Sequence, residues 1–126
     1  MIDHISIAVR DLKAATRFYD SLLATLGMTK LREWPTSIGY GKKFPEFWLN
    51  ERKGLEPLGA DSGAHVALRV RETAAVDGFH AAALAGGGTS DGAPGLRPHY
   101  YEKYYAAFIR DLDGNRIEAV TFVTAR

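Results

Sequence analysis

Two stretches of the chain alternate apolar and polar positions. Over Asp3–Val9, Ile5, Ile7 and Val9 fall on one face, and His4, Ser6 and Ala8 on the other. Ala64–Val70 repeats this, with Val66, Leu68 and Val70 against His65, Ala67 and Arg69. A period of two predicts strands with one face on a core and one face open. After each strand the spacing becomes helical. Leu12, Ala15, Phe18 or Tyr19, Leu22 and Leu26 form an apolar stripe behind Asp11, a good N-cap, and Gly27 is a natural stop. In the second half, Glu72 or Thr73 opens a helix carrying Val76, Phe79 and Leu84, which ends in Gly86–Gly88. Further strands are expected near Leu31–Trp34, Ser37–Tyr40 and Glu46–Asn50, then near Leu96–Tyr100, Tyr104–Arg110 and Arg116–Val123. Asp111-Leu112-Asp113-Gly114-Asn115 reads as a hairpin turn, with Asp-Gly its strongest signal.

The order strand, helix, three strands therefore occurs twice. Residues 3–29 align without gaps on residues 64–90, at a shift of 61, with 8 identities in 27 positions. His4 falls on His65, Phe18 on Phe79 and Gly27 on Gly88. Chance similarity between two strand–helix units is the alternative. Two scarce histidines in register, at a shift near half the chain, favour duplication. The expected architecture is α+β: a single domain over 1–126, with module 1 at about 1–52, a linker at about 53–63 and module 2 at about 64–126.

Composition narrows the function classes. A chain of 126 residues suits one domain. The apolar share of 46% and charged share of 25% are those of a soluble globular protein. A net charge of +1 lacks the clustered positive excess that nucleic-acid binding needs. No apolar run approaches the roughly 18 residues of a membrane span, and no secretory leader is evident, so the expected location is cytoplasmic. Without cysteine, thiolate metal sites and thiol nucleophiles drop out. Any metal must be held by His, Asp or Glu.

His4 and His65 hold equivalent places on the open faces of the first strands. If the halves pack as pseudo-symmetric partners, the two imidazoles converge. Glu118 sits in the last strand among Ile117 and Ala119, which belong to the other face; a carboxylate there is costly to bury without a partner. Two imidazoles and one carboxylate, with positions left open, suit a divalent ion of the facial-triad type. Each of the three taken alone is more often an ordinary surface residue. Tyr104, Phe108 and Arg110 share the strand parity that faces the open side, and Arg69 points the same way. Arginines there would orient a carboxylate or another anion.

The segments Ile2–Val9, Phe18-Tyr19, His65–Val70 and Phe108–Glu118 together resemble the vicinal oxygen chelate superfamily, the glyoxalase, bleomycin-resistance and extradiol-dioxygenase group. The resemblance spans nearly the whole chain. It implies two βαβββ modules forming a curved mixed-sheet cup around one divalent ion (Fe, Mn, Ni, Co, Zn or Mg), with His4, His65 and Glu118 at the ligand positions. It further implies a homodimer, often with modules exchanged so that each cup uses both chains, and a small oxygen-chelating substrate. Its reactions include lyase or isomerase chemistry of the glyoxalase type, and dioxygenation. Glyoxalase I carries a fourth ligand where this chain has Trp48, which makes Trp48 a wall of the cup. Extradiol dioxygenases pair a histidine with a tyrosine nine residues later. His99 has that offset, but Phe108 holds the tyrosine position, leaving His99 as a candidate acid or base. The alternative function is a metal-free drug- or metabolite-binding protein of the bleomycin-resistance kind.

Overall fold

The computed structural model describes residues 1–123. The last three, inside the expected second module, lie outside the described residues. The elements are β1 (Ile5–Val9), α1 (Leu12–Ala24), β2 (Thr29–Trp34), β3 (Ser37–Gly41) and β4 (Phe47–Glu51). Then come β5 (Val66–Arg69), α2 (Thr73–Ala85), β6 (Thr89–Leu96), β7 (Tyr104–Arg110) and β8 (Arg116–Phe122). They form two four-stranded mixed sheets, ordered β1-β4-β3-β2 and β5-β8-β7-β6. In each sheet the first strand lies parallel to the last, as a helical crossover permits, and the other pairings are antiparallel. This is the two-module βαβββ arrangement that the resemblance implied, with neither sheet closed. Among the described residues no helix is long and apolar enough to cross a membrane.

Local sequence explains the helices. The Asp11 side chain accepts the Ala14 N–H at 3.1 Å and caps α1. The stripe Leu12, Ala15, Phe18, Tyr19, Leu22 and Leu23 is buried. Glu72 precedes α2 without a side-chain cap, and Val76, Phe79 and Ala83 form its buried face. One continuous core joins both modules: these helix faces meet Val9, Ile38, Tyr40, Phe47 and Leu49 of the first sheet, and Ala107, Ile109, Ile117 and Ala119 of the second. On the opposite face of the second sheet, Ala106, Glu118 and Val120 are buried as well.

Two expectations shift. The strand expected near Leu96–Tyr100 is instead Thr89–Leu96, and the chain turns after Leu96. Thr89–Leu96 has the composition of a loop, with Gly92, Pro94 and Gly95. Pairing with β7 makes it a strand nonetheless, with irregular register between Ser90 and Gly92 and between Gly92 and Gly95. The first strands also begin later than expected, so His4 and His65 stand just ahead of β1 and β5.

The turn between β7 and β8 ties the modules together. Asp111 is buried and accepts four hydrogen bonds: from the Asp113 and Asn115 backbone N–H groups, from Asn115 Nδ2, and from the Tyr19 hydroxyl of α1 at 2.6 Å. Asn115 Nδ2 also donates to the Ala8 carbonyl of β1. Arg10 Nε donates to Asp113 at 2.7 Å, and its Nη2 to the Leu112 carbonyl. Burial pushes the Asp111 carboxyl above the ordinary carboxylate range, against the pull of its donors. Burial first, and then the Asp111 charge, push the Tyr19 phenol well above its ordinary value of 10.0.

Tyr19→Phe removes one donor from this buried carboxylate, and the expected loss is about 1–3 kcal/mol in urea unfolding at pH 7. Tyr19 ionises in the unfolded chain above about pH 10 but keeps its proton in the fold, so its contribution is complete below that pH and fades above it. The gap between the two proteins should therefore narrow as the pH rises past 10; a constant gap would remove Tyr19 from the clasp.

Candidate metal centre and its cavity

Strand register sets the carboxylate. Along β8, Ile117 and Ala119 enter the core, and Glu118 takes the opposite face between its register partners Ala67 and Phe108. Glu118 is only 1% exposed. A carboxylate so placed needs partners, and it has two. Its Oε1 lies 3.1 Å from His65 Nε2, and its Oε2 accepts the Tyr104 hydroxyl in a short hydrogen bond. A carboxylate only accepts, so Nε2 carries the His65 proton in this pairing; a cation taking that place would displace it. Burial and Glu118 together push the Tyr104 phenol well above its ordinary value, so Tyr104 acts as a donor.

The third sequence-derived ligand lies elsewhere. His4 is exposed, and its Nδ1 pairs with Asp3 at 2.7 Å. β1 and β5 run past each other in opposite senses. Ser6–Ala8 share a hollow with His65, whereas Phe47, the register partner of Ile5, shares another with Arg69. Equivalent histidines at the starts of these strands therefore stand at opposite ends of the module junction, and within one chain they do not converge. Among the described residues, no three His, Asp or Glu side chains gather as a metal site. One chain offers an imidazole nitrogen and a carboxylate oxygen side by side, a donor pair that fits part of a divalent-ion shell but does not complete it.

Register also places Trp48. Ser6 pairs with Trp48 as Ala67 pairs with Glu118, so Trp48 occupies the first module's counterpart of the carboxylate position. Its indole lies over Gly39 and against Trp34, with ring centroids 5.0 Å apart. Indole is not a metal ligand.

A cavity of about 410 Å³ opens beside the pair, lined by His65, Asp91, Arg97, His99, Phe108 and Arg116 among others. His99 therefore shares a cavity with His65, its ring 4.2 Å from that of Tyr100. The Phe108 ring lies 6.5 Å from the His65 ring. Arg110 faces an acid: its Nε is 3.6 Å from Asp91 Oδ1, and Arg116 donates to the same carboxylate. Arg69 stacks over Phe122 at 4.8 Å and borders a different hollow, with Lys42 and Glu46. Arg97 is one of the cavity residues, with Asp61, Asp91 and Arg116, that the sequence did not single out. Its only local signal is its place two residues after a glycine in a Gly-rich run.

A Cβ on Gly39 would lie 2.9 Å from Trp48 Cη2 and 3.0 Å from Pro45 Cβ. Gly39→Ala should displace the indole, change the tryptophan near-UV circular dichroism, and cost about 1–3 kcal/mol. An unchanged spectrum would mean that Trp48 is not held by this contact.

The model of the Glyoxalase/Bleomycin resistance protein/Dioxygenase superfamily matches residues 1–119. A solved glyoxalase/bleomycin resistance protein from Albidiferax ferrireducens T118 is 32% identical, with a TM-score of 0.84 over 96% of this chain and 98% of that one. A family enzyme from Burkholderia phytofirmans PsJN is 20% identical, with a TM-score of 0.70 over 96% and 98%. The fosfomycin resistance protein FosX from Listeria monocytogenes is 15% identical, with a TM-score of 0.70 over 98% and 93%. The last two are likenesses of fold. No curated protein matches the chain. The chain belongs to the glyoxalase/bleomycin resistance/dioxygenase superfamily.

Proposed function

We propose that this superfamily member is a divalent-metal-dependent enzyme, its ion held by His65 and Glu118 of one protomer and by His4 of a second copy. The observation that carries this reading is the buried Glu118 paired with His65, two ligand types in contact with no third among the described residues. His4 has the equivalent position in the other module and is open to solvent. Trp34, Phe44, Tyr100 and Tyr101 are exposed aromatics that a partner would cover. A nitrogen–nitrogen–oxygen set suits Fe, Mn, Ni, Co or Zn better than Mg.

Once bound, the ion would supply Lewis-acid stabilisation to charge developing on adjacent substrate oxygens. The chain's own residues do the rest. Tyr104 orients Glu118 through Oε2, leaving Oε1 to the ligand side. His99 can take up or release a proton at its ring nitrogens within the cavity. Trp48 closes the first module's counterpart position without ligating. The reaction is either a glyoxalase-type lyase or isomerase step, or a dioxygenation. A second reading, a metal-free drug- or metabolite-binding protein, draws on one observation: Glu118 already has two protein donors.

Protein purified without chelators should hold one transition-metal ion per protomer and sediment as a dimer. His4→Ala and Glu118→Gln should each lose the ion. Refolded together as a mixture, they should recover about a quarter of the wild-type metal, because only heterodimers rebuild a site and each rebuilds one of two. No recovery would place all ligands in one chain. A wild-type protein that takes up no ion from added Fe, Mn, Ni, Co or Zn would favour the metal-free reading.

A further inference from the structure

We propose that Arg97 binds an oxyanion of the substrate, a carboxylate or phosphate group, next to the His65–Glu118 pair. This names a substrate class for the site above and rests on the reading of that pair as part of a metal centre. The argument starts in β6, whose pairing with β7 slips on both sides of Gly92. Bulges of this kind re-aim side chains near functional sites. Here the bulge carries the guanidinium of Arg97 on its own carbonyls: Nη2 donates to Ala93 O at 2.6 Å, and Nη1 to Gly95 O at 2.9 Å. A Cβ at Gly92 would lie 3.1 Å from Nη2 and 3.0 Å from Phe108 Cδ1, so the strand is shaped around the guanidinium. The group lies over the Phe108 ring, 5.4 Å from its centroid, and the same ring neighbours His65.

Charge separates Arg97 from Arg116 of the same wall and from Arg110 on β7. Arg110 and Arg116 face Asp91, and Arg116 also lies 3.7 Å from Asp61. Among the described residues Arg97 meets no carboxylate. Its carbonyl partners orient the group without neutralising it. Two of its nitrogens are tied down, while Nε has no protein acceptor among the described residues. The Nε–Nη2 edge is one of the two-pronged forks by which a guanidinium grips a carboxylate or phosphate. A fixed, uncompensated cation lining the cavity of His65 and His99 favours a substrate with an anionic end near its chelating oxygens.

The test uses chelator-treated full-length protein, so that it does not depend on metal. At low ionic strength, malonate, inorganic phosphate and neutral malonamide are titrated while the Arg97 Nε–H resonance is followed by NMR. Saturable shifts with malonate or phosphate, weakened by salt and absent with malonamide, are expected. The stronger of the two anions identifies a carboxylate or a phosphate substrate. Arg97→Gln should weaken anion binding about tenfold or more, with the amide signals of Gly92–Tyr104 showing whether the bulge persists. His65→Ala should lose the metal and keep the anion response, so the two readings fail separately. The absence of a saturable shift with either anion, or an equal shift with malonamide, would overturn the proposal and leave Arg97 as a strut of the bulge.

Discussion

The buried carboxylate of Asp111 is the constraint on which the rest of the molecule depends. It closes the β7–β8 turn through two backbone N–H groups and receives the Tyr19 hydroxyl from the other module. Holding a carboxylate there is costly: burial lifts its affinity for a proton despite four donors. Such a group is poor evidence of net stability, and its effect here is geometric. It fixes the start of β8, and through Asn115 and Ala8 it moors the end of β1 to that point.

The two modules share one plan and differ where chemistry is concerned. Ala67 faces Glu118, and Ser6 faces Trp48. A carboxylate in one half and an indole in the other give a pseudo-symmetric frame with one acidic position. Around Glu118 the second module adds polar groups: His65 and Tyr104 meet the carboxylate directly, and Arg97, His99 and Arg116 line the cavity beside the pair. Around Trp48 the first module adds a second indole, that of Trp34. Read this way, the duplicated fold supplies positions, and divergence of a few side chains supplies function.

Much of this was legible in the chain. The alternation around His4 and His65, the α1 stripe behind Asp11 and the Asp-Gly turn are local patterns, so they identified their elements directly. The parity of β7 and β8 put Tyr104, Phe108, Arg110 and Glu118 on one face, where the structure has them. β6 was misread because Gly92, Pro94 and Gly95 carry no strand propensity, and the edge of β7 decides their conformation. Arg97 was missed for the same reason: its placement depends on a bulge that no local rule specifies. Arg69 and Arg110 were legible by direction but not by partner. Phe122 takes one and Asp91 the other.

By itself, then, the sequence determined the repeat, the strand parities and the identity of the titratable groups on the open faces, because these depend on spacing along one element. Only the tertiary structure decided which of those groups meet. Contacts such as His65 with Glu118, or Tyr19 with Asp111, join residues 53 and 92 positions apart. Their geometry depends on how two modules pack about a shared core, which no periodicity encodes.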